Sequence, residues 1–217
     1  MAIMGMFPLG TVLLPSAYLP LHVFEPRYGE LVRACLVGDQ EFGVVLIERG
    51  SEVGGGDTRT RVGTVARIVE VAELGDGRWV VGAIGTRRIQ VAEWLPDDPY
   101  PRADVVDWPE PEPAADLADR LAAAVGRLRR VLALRVELGD VVADATIELA
   151  DDPVLASYQA VAVSPLGPAD QQALLAAAGA DERVDRLAVL LAEEEEDLLG
   201  RLALEGPGGS SGDPVDP

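Results

Sequence analysis

The sequence predicts an α+β protein in which a sheet precedes a set of helices. Runs rich in Val, Ile and Thr, separated by turns that contain Gly and Asp, fill the first half of the chain. The segment PEPEPAA at 109–115 marks a change in composition, and beyond it apolar residues recur with the helical period. We therefore predict a β-barrel subdomain at 1–110, a helical bundle at 111–205 and a disordered tail at 206–217.

Five segments have the composition of β-strands, and together they predict an antiparallel sheet or barrel. The clearest connection is the turn at 75–77, Gly-Asp-Gly, because glycine permits the positive φ that a tight turn requires. The runs on either side of it are predicted to form a hairpin. The five segments are LGTVLLP at 9–15, EFGVVLIER at 41–49, RVGTVARIVEVAEL at 61–74, RWVVGAIG at 78–85 and TRRIQVAEWL at 86–95.

One helix is predicted between the first two of these strands. Pro26 suits a first helical turn, because its missing N–H has no partner there in any case. Apolar residues then follow on one helical face, and Gly38 stands where a left-handed C-terminal cap is expected. We expect this helix to cover one open end of the barrel. The apolar face consists of Tyr28, Leu31, Val32, Cys35 and Leu36.

Four further helices are predicted in the second half of the chain. The first carries the stripe Leu117, Leu121, Val125, Leu128 and Leu132, and the last carries Val184, Leu187, Leu191, Leu198 and Leu202. Between them lie ASYQAVAV at 156–163 and ADQQALLAAAG at 169–179. Each fully buried leucine contributes about 1.5–3 kcal/mol, so these stripes must pack against one another or against the barrel.

Charge and composition restrict the partners of the chain. It has 18 basic and 37 acidic residues and a formal net charge of −19, a field that repels phosphate backbones, so we predict no nucleic-acid binding. No apolar run approaches the roughly 18 residues of a membrane span, and the N-terminus lacks the pattern of an export signal. With a single cysteine, Cys35, the predicted compartment is the cytoplasm.

Several kinds of active site are disfavoured by residue types alone. The chain has no lysine for a phosphate-binding loop, and one histidine with one cysteine leaves a zinc site short of ligands. No Gly-x-Ser-x-Gly motif presents a nucleophile. The acidic run EEEED at 193–197 is a candidate calcium or partner site, but its place within a leucine-striped helix favours a solvated face. We predict no metal, no cofactor and no catalytic residues.

Several motifs, taken together, resemble those of one known family. They are FPLGTVLLP at 7–15, LPLHVFEPRYGELVRACL at 19–36, FGVVLI at 42–47, VGTVARI at 62–68, DGRWVVGAIGTRRIQV at 76–91 and the helical run at 164–194. The arrangement is similar to the N-terminal, substrate-binding domain of Lon proteases. The resemblance implies a PUA-like pseudobarrel followed by a helical bundle, and recognition of unfolded or tagged protein segments. Because no ATPase or protease module follows, the chain resembles a free-standing version of that domain.

The segment PLHVFEPRY at 20–28 leads, by this resemblance, from a strand into the helix that closes the barrel. Phe24, Glu25 and Pro26 would then form a structural corner, with Phe24 in the core together with Tyr28, and Glu25 would pair with Arg27 or with backbone. The alternative is a surface role. There, Tyr18, His22, Arg27 and Tyr28 border a groove that accepts an extended peptide through main-chain hydrogen bonds and shallow apolar pockets.

Three classes of function follow from these observations. The leading hypothesis is a non-enzymatic polypeptide-binding or adaptor protein that binds exposed or unfolded segments and works with a separate protease or chaperone, with the Gly-rich segment 49–61 gating a groove. A rival is a small-ligand module or an enzyme in which Glu25 or Asp57 performs acid–base chemistry in a barrel pocket. A third is self-association of copies of the chain through the leucine stripe at 184–202.

Overall fold

A computed structural model describes residues 2–49, 58–144, 146 and 148–205 and confirms the α+β class. Most of the Gly-rich segment, Asp57 and the predicted tail at 206–217 lie outside the described residues. The strands are β1 Ala2–Leu9, β2 Tyr18–Val23, β3 Glu41–Arg49, β4 Thr58–Glu73, β5 Trp79–Leu95 and β6 Arg102–Asp107. The helices are α1 Pro26–Val37, α2 Leu117–Glu137, α3 Pro153–Val163, α4 Pro168–Leu175 and α5 Ala180–Glu205.

The strands form a mixed sheet in the order β2-β5-β4-β3-β1-β6. Strand β6 pairs with β1 and also with β5, so the ladder closes on itself from β5 round to β6. The pair β1–β3 is parallel and the other pairs are antiparallel, which corrects the expectation of a wholly antiparallel sheet. The long strand β5 pairs with β2 along its first half and with β6 along its second half. The PUA-like pseudobarrel stays a prediction.

The prediction of a strand at 9–15 is wrong, because β1 ends at Leu9. The apolar run that follows β1 joins no ladder and contributes to two hydrophobic cores, one beneath the sheet and one among the helices. Leu13 packs in the core beneath the sheet, and Leu14 packs among the helices. The carbonyl of Leu13 accepts a hydrogen bond of 2.6 Å from the buried hydroxyl of Thr64, which fixes this irregular segment. The segments predicted at 78–85 and 86–95 are one continuous strand, β5.

The predicted helix after Pro26 is confirmed as α1, with Tyr28, Leu31, Val32 and Cys35 buried on one face. The left-handed cap expected at Gly38 is wrong, because its φ is −102°. The amide of Gly38 nevertheless donates to the carbonyls of Ala34 and Cys35, so the last turn is closed without a positive φ. The hairpin turn is as predicted, with Gly77 at a φ of +83°.

The four predicted helices of the second half are present as α2 to α5. Helix α2 packs along α5, and α3 packs against both. The leucine stripe of α5 is buried within the chain at Val184, Leu187, Leu191 and Leu198. These four residues are therefore not available for a second copy, and self-association through the C-terminal helices stays a prediction.

Candidate functional site

Strand β2 has one buried and one exposed face. Leu21 and Val23 are buried and join the core beneath the sheet, while Tyr18, Pro20 and His22 are exposed. This alternation follows from the two-residue repeat of a strand, in which successive side chains point to opposite faces. The sequence LPLHV therefore places a proline and the single histidine of the chain on the same exposed face as Tyr18.

The neighbouring strand β5 continues this exposed surface. Tyr18 lies opposite Ile84 in the register, and His22 lies opposite Val80. The exposed fractions are 56% for Tyr18, 37% for Ile84 and 37% for Val80. We call this surface the β2–β5 face and define it by the side chains of Tyr18, Pro20, His22, Val80 and Ile84. Because directly opposite side chains in a sheet are neighbours, the apolar groups form one continuous patch, which is the kind of feature that marks an interaction site.

A glycine shapes the centre of the β2–β5 face. Gly82 lies opposite Pro20, and a Cβ atom added to it would stand 2.4 Å from the hydroxyl oxygen of Tyr18. The tyrosine ring therefore lies across β5 in space that any larger residue at 82 would take. This contact explains why a glycine interrupts the apolar run WVVGAI, and it holds the Tyr18 ring close to the sheet.

The corner after β2 is partly as predicted. The guanidinium Nε of Arg27 donates to Glu25 Oε2 at 3.1 Å, which confirms the expected pair, and Pro26 begins α1. Phe24 is 62% exposed, so the prediction that it belongs to the core is wrong. Val23 already takes the inward position at the end of β2, and the next side chain points outward.

Tyr28 belongs to the core and not to a surface groove. It is 4% exposed, and its ring stacks on Phe7 with centroids 4.1 Å apart. The Arg27 guanidinium lies 4.6 Å from the centroid of the Tyr28 ring. The four predicted site residues thus form two separate pairs, Tyr18 with His22 and Arg27 with Tyr28. Tyr18 and His22 share the β2–β5 face, whereas the expectation that the Tyr28 ring borders a groove is corrected by its burial.

The structure describes one of the two acids named in the acid–base alternative. Glu25 is held by Arg27, and Asp57 lies outside the residues that the structure describes. A cavity of about 440 Å³ lies between the sheet and α4, and Glu48 is the one carboxylate among the described residues that line it. Within the described part of the chain there is no group of three His, Cys, Asp or Glu residues that could hold a metal ion. No described helix has both the length and the apolar character that a membrane span needs.

Besides Pro20, sequence reasoning missed the part of the β2–β5 face that β5 supplies, namely Val80 and Ile84 with Gly82 between them. The signal was available, because these residues alternate with Val81 and Ala83 in WVVGAI and therefore lie on one face of a strand. The pairing of β5 with β2 was not visible in either segment alone.

Comparisons with known proteins identify related chains. Residues 4–193 match the family described as the ATP-dependent protease La (LON) substrate-binding domain. Lon protease 2 of Herpetosiphon aurantiacus is 29% identical over 189 residues, which cover 86% of this chain and 23% of that protein. The Lon protease of Roseiflexus castenholzii is 29% identical over 206 residues, covering 94% of this chain and 26% of that protein. The chain thus spans about a quarter of the length of these relatives.

Solved structures show the same fold. A Lon N-terminal domain protein from Xanthomonas campestris superposes with a TM-score of 0.64 at 26% identity, covering 87% of this chain and 98% of that one. The N-terminal domain of a Mycobacterium avium complex Lon protease superposes with a TM-score of 0.63 at 19% identity, covering 90% and 99%. The mixed sheet followed by helices is therefore an arrangement that this chain shares with Lon N-terminal domains.

Proposed function

Because this chain belongs to the LON substrate-binding domain family, we propose that it is a non-enzymatic protein that binds exposed or unfolded polypeptide segments. The observation that carries this proposal is the β2–β5 face, where Tyr18, Val80 and Ile84 present apolar surface to solvent in adjacent register positions. Its partners are extended protein segments, and it acts in the cytoplasm. It uses no cofactor and no metal.

The chemistry of the β2–β5 face suits a transient recogniser. Burial of apolar surface contributes about 25 cal/mol per Å², and a tyrosine adds a polar group at the end of a large apolar ring. The face is shallow and holds few large side chains, so we expect an affinity of roughly micromolar, or about −8 kcal/mol. Such an affinity lets a client bind and leave quickly, as an adaptor requires.

Electrostatics select among clients. The net charge of −19 favours neutral or basic segments over acidic ones and works against nucleic acid. Because this contribution is long-ranged, raising the ionic strength should slow association while leaving the apolar contacts in place.

We further propose that the chain acts as an adaptor for a separate protease or chaperone. The support is the family itself, whose description links the domain to substrate binding in an ATP-dependent protease. In this arrangement the client occupies the β2–β5 face and another surface contacts the partner. Co-purification of one protease or chaperone complex with the chain, in the absence of any client, is the expected result.

The client-binding proposal is tested by fluorescence anisotropy with a reduced and alkylated, permanently unfolded protein as the probe. The variant carries Tyr18→Ser, Val80→Ser and Ile84→Ser, which remove apolar surface from the β2–β5 face without adding charge. We expect wild type to bind with a roughly micromolar Kd and the variant to bind at least about 10-fold more weakly.

A matched control carries three serine substitutions at other exposed apolar residues, Val136, Val189 and Leu204, all on the helices. Circular dichroism verifies that both triple variants are folded. The control should bind within about twofold of wild type. Equal weakening in the two variants, or no binding by wild type at concentrations well above micromolar, contradicts the proposal.

A further inference from the structure

Strand β2 lies at one end of the sheet order and pairs with β5 alone among the described strands. Its other edge therefore carries no ladder within the described residues. An edge of this kind presents main-chain N–H and C=O groups in a row, which is the template that another extended segment needs.

The register shows which groups face this free edge. The amide of Gly85 donates to the carbonyl of Ala17 at 2.9 Å, one position before the pair of Tyr18 with Ile84. Hydrogen-bonded and non-hydrogen-bonded pairs alternate along an antiparallel ladder, so Tyr18, Pro20 and His22 occupy non-hydrogen-bonded positions. Their main-chain groups point away from β5. Pro20 agrees with this assignment, since a proline in a sheet takes positions where no ladder donor is needed.

We infer that the free edge of β2 binds the client by adding it to the sheet as a further strand. This inference rests on the proposed function and names how the same site recognises its substrate. The edge offers three carbonyl acceptors, at Tyr18, Pro20 and His22, and two amide donors, at Tyr18 and His22. Their complement is the main chain of an extended segment, so recognition depends on backbone availability more than on a particular side-chain sequence.

Pro20 identifies the occupant as a segment of another protein and not as β2 of a second copy. If two β2 edges paired antiparallel about their centres, the prolines would face each other and the central pair would lose both hydrogen bonds. A client strand loses one. Two copies that each carry a net charge of −19 also repel each other. The missing donor at Pro20 thus weakens self-pairing more than it weakens client binding.

The first test uses two substitutions at one position. His22→Ala removes the imidazole and keeps the outward amide, whereas His22→Pro also removes the amide. Because that amide takes no part in the ladder with β5, the proline variant is expected to fold. We expect His22→Pro to bind the unfolded probe roughly 2- to 10-fold more weakly than His22→Ala, which corresponds to one lost hydrogen bond. Equal Kd values for the two variants overturn the inference.

The opposite change is made at Pro20. Pro20→Ala supplies the missing donor, so we expect it to bind the probe roughly 2- to 10-fold more tightly than wild type. Light scattering on the same sample measures self-association. An unchanged Kd for the probe contradicts the inference. A dimer that excludes the probe overturns the assignment of the occupant, because it shows β2 to be a site for a second copy.

A second test keeps the wild-type protein and changes the ligand. The probe is a nine-residue peptide of alternating valine and threonine, compared with two analogues that are N-methylated at its odd or at its even positions. In a strand, alternate amides point to opposite edges, so each analogue keeps one free edge, and the side chains of that edge lie over the β2–β5 face. Because valine suits this apolar face better than threonine, the analogue whose free edge carries valine should bind more tightly than the other. This comparison stands even if His22→Pro fails to fold.

The outcomes separate the two proposals. In one outcome, wild type binds the unfolded probe, the serine variant of the β2–β5 face binds that probe more weakly, and the two N-methylated peptides bind with equal affinity. The proposed function then stands and strand addition is wrong. If wild type binds neither the unfolded protein nor the valine–threonine peptide, both proposals fail. Tighter binding of the analogue whose free edge carries valine supports strand addition.

Discussion

The two halves of strand β5 lie in opposite environments. Its first half, through Ile84, borders the edge strand β2 and exposes apolar side chains, whereas its second half borders β6 and carries the buried Arg88. We call these the open half and the closed half of β5. In the open half, the main chain of β5 is paired with β2 and β4, and the groups that face solvent are apolar side chains of β5 and the outer edge of β2. The closed half pairs with β4 and β6, and its Arg88 contacts the end of α4.

The closed half is held by a buried ionic cluster. Arg88 is 2% exposed and donates to the carbonyls of Leu175 at 3.0 Å and Ala177 at 2.5 Å. It also pairs with Glu110 at 2.8 Å, and Arg183, which is fully buried, pairs with the same carboxylate at 2.6 Å. The hydroxyl of Tyr158 donates to that carboxylate as well. Arg88 of β5 thus links the sheet to α4 and, through Glu110, to Arg183 of α5.

The two halves should respond differently to substitution, one in stability and the other in binding. A buried charge that loses its partner is costly, whereas an exposed apolar group can be removed with little effect on the fold. Substitutions in the closed half should therefore unfold the protein without altering the affinity of the folded fraction. Substitutions in the open half should do the reverse.

The largest expected effect is at the shared carboxylate of the closed half. Glu110→Gln leaves Arg88 and Arg183 buried without a counter-charge, so we expect the free energy of unfolding to fall by about 3–5 kcal/mol. Urea denaturation followed by circular dichroism measures it. A loss below about 1 kcal/mol would show that the cluster is not what fixes the helices to the sheet.

Two glycines of β5 give the next largest contrast. A Cβ atom at Gly85 would lie 2.2 Å from the main-chain oxygen of Leu14, which cannot move easily, whereas at Gly82 it would meet the mobile end of Tyr18. We expect Gly85→Ala to cost about 1–3 kcal/mol and Gly82→Ala less than about 1 kcal/mol. Urea denaturation of the two alanine variants compares them, and equal losses would contradict the stated contacts.

Tyr18→Ala in the open-half region should affect binding and not stability. Since the ring is largely exposed, its removal should change the free energy of unfolding by no more than about 0.5 kcal/mol. The same variant should bind an unfolded client several-fold more weakly. Urea denaturation and fluorescence anisotropy on one preparation measure the free energy of unfolding and the Kd. A large loss of stability with an unchanged Kd would show that Tyr18 supports the fold and does not bind the client.

The smallest expected effect concerns Cys35, which lies in the core beneath the open half together with Val81 and Ala83. Burial raises the pKa of its thiol to about 11. As the pH rises past the ordinary pKa of a thiol, Cys35 ionises in the unfolded chain but not yet in the folded one. The stability that the neutral, buried thiol contributes is therefore fully present below the ordinary pKa and is lost as the pH rises towards 11.

At pH 8.5, which is roughly the unperturbed pKa of a thiol, a thiol reagent should modify the native protein far more slowly than the urea-unfolded protein. Adding a client should leave the native rate unchanged, because strand addition at the edge of β2 does not open the core. Acceleration by the client would show that binding rearranges the inner side of the open half.

Much of the fold was predictable because its signals are local. Helix α1 was marked by Pro26 and an apolar face, and the β4–β5 hairpin was marked by the glycines of its turn. The burial of Phe24 was predicted wrongly, because the family motif gives only its position along the chain. Its exposure follows from Val23, which takes the inward position at the end of β2 and leaves Phe24 pointing outward.

The features that the sequence did not show involve partners that lie far apart in the chain. In the acidic run 193–197, predicted to be a solvated face, Glu194 pairs with Arg135 and Glu195 pairs with Arg127 and Arg130. Those arginines lie on α2, so the helical period of α5 alone does not show which carboxylates have partners. The ion pairs of Glu110 with the distant residues Arg88 and Arg183 could not be predicted for the same reason.

Hydrogen exchange of the β2 amides distinguishes client binding at this edge from binding elsewhere on the protein. Leu19, Leu21 and Val23 donate to β5 and should exchange slowly whether or not a client is present, whereas the amides of Tyr18 and His22 should exchange quickly in the free protein. We predict that an excess of unfolded client slows exchange at Tyr18 and His22 specifically. Protection confined to the helices, with these two amides unchanged, would contradict the claim that the open half of β5 and its edge strand form the binding site.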